Sequence, residues 1–181
     1  MKTGKFIIVD SVEVVIRNKD GKVLRRHKLN SGLFHRFMVK LGLQHNSIAN
    51  VGMAAVARRI NGVTETAFTY LAIGVDTTAD NASATGLVNE VKRKAATCTV
   101  LQTTVANDTA QWVATFSVAD TDPTNNATDV INEIAVLNAG SVGILLLKIA
   151  GSTNYGAADT VNWSSGDTYQ LTVKCKIEQG S

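Results

Sequence analysis

Phe68-Thr-Tyr-Leu-Ala-Ile-Gly74 is a run of β-preferring residues closed by a glycine. Phe68, Tyr70 and Ala72 alternate with Leu71 and Ile73, which leaves little polar face; the run reads as a strand buried on both sides with a sharp exit at Gly74. After it, Val75 to Gly86 is a loop by composition, and Leu87-Val-Asn-Glu-Val91 returns the chain to β-like sequence. The residues before this strand are basic and partly helical. Those after it are β-like and acidic.

Upstream, residues 6–17 and 22–29 form two β-like runs joined by Asn18-Lys-Asp-Gly21, whose Asp-Gly step suits a hairpin turn. Val12, Val14 and Ile16 share one face of the first run, opposite Glu13, Val15 and Arg17. The return run Arg25-Arg-His-Lys28 carries the charge expected of an exposed or edge strand. Ser31 caps an expected helix through about residue 43, with Leu33, Phe34, Phe37, Met38 and Leu41 as its apolar stripe. A second helix is expected at about 51 to 60, packing on Ala54, Ala55, Ala57 and Ile60 and stopping at Asn61-Gly62.

Downstream, β-like runs are expected at about 93 to 106 and 110 to 119, the second alternating Trp112, Ala114, Phe116 and Val118 with Val113, Thr115 and Ser117. Val130-Ile-Asn-Glu-Ile-Ala-Val-Leu137, an Asn138 to Gly143 turn and Ile144-Leu-Leu-Leu-Lys-Ile149 follow. In the last run Tyr169, Leu171, Val173, Cys175 and Ile177 point one way, and Thr168, Gln170, Thr172, Lys174 and Lys176 the other. Strands at this spacing with no long helices between them predict a mainly β fold, an antiparallel β-sandwich with an N-terminal hairpin and two short helices.

The 181 residues carry a net charge of +3 that is unevenly placed. Residues 1–62 hold twelve Lys and Arg against three acids, a net of +9; residues 63–181 hold six against twelve, a net of −6. The expected organisation follows this division, with residues 1–62 as a basic attachment segment and 63–181 as the sandwich, packed together as one unit. Arg17, Lys22, Arg25, Arg26, Lys28, Arg36, Lys40, Arg58 and Arg59 are the candidate docking surface. Head-to-tail attraction between copies accounts for this asymmetry better than contact with nucleic acid or an acidic protein surface, because the basic residues are spread through a hairpin and two helices with no aromatic residues interleaved.

No catalytic constellation is read, so the chain is expected not to be an enzyme. His27, His35 and His45 all lie in the basic part, away from any recognisable Ser or Cys partner. Glu90 and Glu133, in matching Asn-Glu contexts, are expected to make structural bonds with Lys92, Arg93 or Lys148 rather than to act as a catalytic pair. The Asp120 to Asp129 loop has Asn125 and Ile131 where a helix-flanked calcium loop has Gly and Glu, so no metal and no cofactor are expected. Cys98 and Cys175 are expected to be reduced core residues. No signal peptide or membrane-spanning run is read, which predicts a soluble, cytoplasmically made chain in which the triplets at Asn81, Asn107 and Asn126 are not glycosylated.

Five ordered segments carry a resemblance: Leu71-Ala-Ile-Gly74, Leu87-Val-Asn-Glu-Val-Lys-Arg93, Val130-Ile-Asn-Glu-Ile-Ala-Val-Leu-Asn-Ala139, Gly143-Ile-Leu-Leu146 and Gly166-Asp-Thr-Tyr-Gln-Leu-Thr-Val173. Across about residues 68 to 177 this order resembles structural proteins of tailed bacteriophages, of the tail-fibre, baseplate or head-decorating kind; Asn30-Ser-Gly-Leu33 before a helix is similar to the start of such modules. The resemblance implies a virion protein made in the host cytoplasm, whose partners are other copies of itself and other virion proteins, with no membrane. Two alternatives are a nucleic-acid-associated protein using the basic part, and a carbohydrate-binding module using Trp112, Trp163 or Tyr155.

Overall fold

The computed structural model describes residues 7–30, 46–78, 81–103, 105–120, 127–150 and 159–177. The chain is mainly β, and every strand pairing is antiparallel. The strands are β1 (Ile7–Arg17), β2 (Val23–Asn30), β3 (Asn46–Ile48), β4 (Tyr70–Gly74), β5 (Glu90–Ala95), β6 (Thr97–Leu101) and β7 (Thr109–Phe116). They continue with β8 (Thr128–Ile131), β9 (Glu133–Leu137), β10 (Leu145–Ala150), β11 (Asp159–Asn162) and β12 (Thr168–Ile177). One five-stranded sheet has the order β2-β1-β12-β7-β6, a second β3-β10-β9-β4-β5, and β11 pairs with β8 in a two-stranded ribbon.

The N-terminal hairpin forms as its turn chemistry requires. Gly21 adopts φ +78, and the Asn18 side chain accepts from the Asp20 and Lys22 amides at 3.1 and 2.9 Å. β1 does not stop at the hairpin: it runs beside β12 from Ile7↔Ile177 to Arg17↔Thr168, which places the first and last described strands next to each other. Val12, Val14 and Ile16 are buried as the alternation predicts, and Val15 on the opposite face is buried as well.

The two large sheets bury their facing sides in one apolar cluster. Val12, Val14, Ile16, Trp112, Phe116, Tyr169, Leu171 and Val173 come from the first sheet; Leu71, Ile73, Ile134, Val136, Leu147 and Ile149 come from the second. The ribbon adds Ile131 and Val161. The far side of the second sheet is covered too, by Ala49 at the start of the helix and by Ala84 and Leu87, over Ala72, Ala135, Leu137 and Leu145. This double cover explains why β4 and β10 carry almost no polar residues: a strand buried on both faces loses its alternation.

The helix α1 (Asn50–Ile60) is the one α-helix among the described residues; the helix expected from Ser31 to about residue 43 lies outside them. The packing side differs from the expectation. Gly52 and Ala55 are buried, while Ala54 and Ala57 are exposed and Ile60 is 68% exposed. Proximity to β10 sets this rotation: a Cβ on Gly52 would lie 2.6 Å from the Leu145 carbonyl oxygen. Only glycine lets the backbones approach so closely.

Three other expectations need correction. The run expected at about 93 to 106 is two strands in different sheets, because the chain crosses at Ala96, whose amide bonds Thr69. The Val130 to Leu137 run also divides, at Asn132, which donates to the carbonyls of Gly74, Val75 and Val130 and so ties the ribbon to the exit of β4. Val118 leaves the β7 strand for a 3-10 turn, and is exposed.

Candidate functional site

The expected docking cations divide into three groups. Arg17, Lys22, Arg25, Arg26 and Lys28 come together on the β1–β2 hairpin, with β2 forming one edge of the first sheet. Lys22, Arg25, Arg26 and Lys28 are exposed. Arg58 and Arg59 sit at the end of α1, where Glu65 holds both: its carboxylate lies 2.8 Å from Arg58, and its carbonyl accepts from Arg59. Arg36 and Lys40 lie outside the described residues.

On β2 the cations occupy both faces. Arg26 and Lys28 stand opposite Val15 and Glu13 on the outer face, and Arg26 is 3.5 Å from the Glu13 carboxylate. Arg25 and His27 stand opposite Ile16 and Val14, on the face that looks toward the core. There they meet Asp159 of β11, with His27 Nε2 3.0 Å from its Oδ1. Burial pushes the Asp159 carboxyl above its ordinary range, against the pull of His27, Arg25 and Tyr169.

The acids of residues 63–181 have a different fate. Asp108, Asp129, Glu133, Asp159 and Asp167 are buried, and Glu65, Glu90 and Asp120 are held in ion pairs. Asp108 accepts from the Thr103 and Val105 amides, closing the β6–β7 hairpin, and Asp167 accepts from the Asn162 amide before β12. Such bonds satisfy backbone donors that would otherwise be stranded. Of the nine acids described in residues 63–181, five are therefore buried, three are ion-paired and Asp76 is partly exposed, whereas Lys22, Arg26 and Lys28 of the N-terminal hairpin face outward.

Two internal networks account for most of the remaining ionisable groups. Glu133 is fully buried, accepts from the Val88 and Asn89 amides at 3.1 and 2.8 Å, and pairs with buried Lys148 at 2.9 Å. Glycine at 74 makes room for it, since a Cβ there would lie 2.6 Å from Glu133 Oε1. The second network centres on Lys92, 2% exposed, whose ammonium lies 4.0 Å from the centre of the Trp163 ring and donates to the Ser117 carbonyl at 3.3 Å. Burial lowers the Lys92 pKa, while Asp129 and Asp120 hold it up. Asp120 is bonded by Lys94 and Ser117, and Asp129 accepts from the Trp163 indole at 2.7 Å.

These contacts decide several residues singled out above. Glu90 bonds Arg93, and Glu133 bonds Lys148, as the structural reading expects. Asp120 is bonded by Lys94 and Ser117 and Asp129 by Trp163, both carboxylates act on Lys92, and residues 121–126 between them lie outside the described residues. Among the described residues, no cluster of three or more His, Cys, Asp or Glu is placed to hold a metal. Trp112 and Trp163 are buried with their N–H groups bonded to the Phe68 carbonyl and Asp129, so neither presents a stacking face; Tyr155 lies outside the described residues. Cys175 is buried as expected, but Cys98 is exposed, because β6 lies at the edge of its sheet beyond the cover of the second one.

Sequence reasoning missed the roles of Asp159, Lys92 and Trp163. Trp163 had one local signal, the Asn162-x-x-Ser165 spacing, in which the Asn side chain caps the Ser165 amide of a short 3-10 turn. No helix among the described residues is long and apolar enough to cross a membrane. No family model matches the chain, and no curated protein matches it.

Proposed function

We propose that this chain is a structural component of a tailed-phage particle, a β-sandwich module that works through protein–protein contacts and catalyses no reaction. The observation that carries the reading is the separation of charge by depth. Five acids of residues 63–181 are buried and brace loops and strands, while Lys22, Arg26 and Lys28 of the hairpin are exposed, with only Arg26 near a carboxylate of its own chain among the described residues, so another molecule can complement them. The ordered segments that resemble phage modules coincide with the parts of this frame: the exit of β4, the clamp on Glu133 and the start of β12. Attraction between copies remains one source of that complement, and Asp76 is a partly exposed acid that a second copy offers. A partner with its own acidic surface is another.

The test is co-sedimentation with particles purified from the producing culture. Wild type is expected to sediment with them, and the Lys22→Glu/Arg26→Glu/Lys28→Glu variant to stay in the supernatant while remaining folded. Arg25 is left intact because it faces Asp159. Equal retention of the variant would remove the hairpin from the contact. The same exposed cations fit a phosphate backbone, so a second reading is nucleic-acid binding. It requires binding to duplex DNA that weakens steeply with salt.

A further inference from the structure

Among the described residues the two large sheets have four edges, β2, β6, β3 and β5, and three carry features that oppose the addition of another strand. β2 bears Arg25, Arg26 and Lys28, β3 is only three residues long, and β5 combines Glu90, Arg93 and Lys94 with Lys92, a charge pointing into the interior. Exposed cations, brevity and inward-pointing charge are each known ways of blunting an edge. β6 has none of them. Its sequence Thr97-Cys-Thr-Val-Leu101 has no charge and no proline, and Thr97 to Val100 are all exposed. Cys98 and Val100 stand opposite Trp112 and Ala110 on the core-facing side, yet Val100 is 62% exposed.

We infer that β6 is a self-pairing edge, joining two copies of this chain through antiparallel β6–β6 contact about a two-fold axis. The inference rests on the assembly reading above and gives it a surface. A second copy is the occupant because β6 offers no charge with which to select a foreign strand and none to repel its own. On β2, self-pairing would bring rows of cations together. β2 and β6 lie at opposite edges of the five-stranded sheet, roughly 19 Å apart at the usual strand spacing. Pairing at β6 therefore keeps the two basic edges apart and leaves them open to the particle.

The register that engages all five residues puts Thr99 on the axis, opposite its own copy, with Cys98 opposite Val100 of the second copy. Threonine pairs facing each other across strands are favourable. The two Cys98 side chains are then diagonal neighbours about 7–8 Å apart, a span for a short bismaleimide. A five-residue contact is small, so pairing depends on concentration and is reinforced where copies are already arrayed.

The experiment is bismaleimide cross-linking through Cys98 across a concentration series, with sedimentation velocity alongside. Wild type is expected to give a covalent dimer whose fraction rises with concentration. Thr99→Lys alone and Thr99→Glu alone are expected to weaken pairing roughly fivefold or more, because each sets like charges opposite one another. An equimolar mixture of the two is expected to recover cross-linking as a heterodimer. Thr99 lies on the outer face of an edge strand, so both variants keep the wild-type fold, checked by tryptophan fluorescence. A wild type that stays monomeric and uncross-linked, or a mixture no better than either variant alone, would overturn the inference. Loss of pairing with particle binding retained overturns β6 pairing only; loss of particle binding by wild type overturns the assembly reading.

Discussion

Replacing Glu133 by alanine tests the frame at its most constrained point. The carboxylate is fully buried, and it partners the Lys148 ammonium, 2% exposed, and the amides of Val88 and Asn89. Removing one member of a buried pair costs about 3–5 kcal/mol, because the survivor is left charged in the interior. Each backbone donor stranded with it adds about 1 kcal/mol or more. The expected loss of about 5–7 kcal/mol is a large fraction of the 5–15 kcal/mol typical of a domain. Lys148→Met should cost less, about 2–3 kcal/mol, since the two amides still hold the carboxylate. The Glu133→Gln/Lys148→Met double variant should return to within about 1 kcal/mol of wild type, because glutamine keeps an acceptor for the amides and no charge is buried. Urea unfolding followed by the fluorescence of buried Trp112 and Trp163 measures all three. A Glu133→Ala cost under about 1 kcal/mol, or a double variant no more stable than Lys148→Met alone, would refute the reasoning.

Two further outcomes follow from packing and from titration. Gly52→Ala is expected to destabilise by about 1–3 kcal/mol although alanine is the better helix former, because a methyl group there meets the β10 backbone; a gain in stability would show that α1 does not sit so close. Asp159 has its pKa raised in the folded state, so its contribution is fully present below the ordinary value of 3.8 and is lost as pH rises through the raised value. Asp159→Asn, with Arg25, His27 and Tyr169 still around it, keeps that contribution at every pH. Its stability relative to wild type should grow as pH rises from about 4, by about 1.4 kcal/mol for each unit of elevation, in urea titrations at a series of pH values; a flat difference would contradict this.

Much of the frame is legible in the residues because local chemistry and burial agree there. Asn18-Lys-Asp-Gly21 specifies its turn, Tyr169 to Cys175 alternates cleanly, and Leu71 to Gly74 has no polar side to expose. What stays hidden is where the chain changes sheets. Ala96 interrupts neither the composition nor the periodicity of its neighbours, and Asn132 inside an apolar run reads as one more strand residue until its amide is seen reaching Val75 and Val130. β3 and β11 are too short and too polar to have a period. The docking surface is half legible. Counting charge along the chain finds the basic hairpin, but a count assigns Asp129, Glu133 and Asp159 to an acidic surface when burial has taken them inside.

The most direct test of the account is to locate the chain by electron cryo-microscopy in particles from the culture that produces it. The expected result is repeated copies on the particle, each with the β1–β2 hairpin against an acidic surface of a neighbouring protein. Particles that carry no density for the chain, with all of it recovered in the particle-free fraction, would contradict the account.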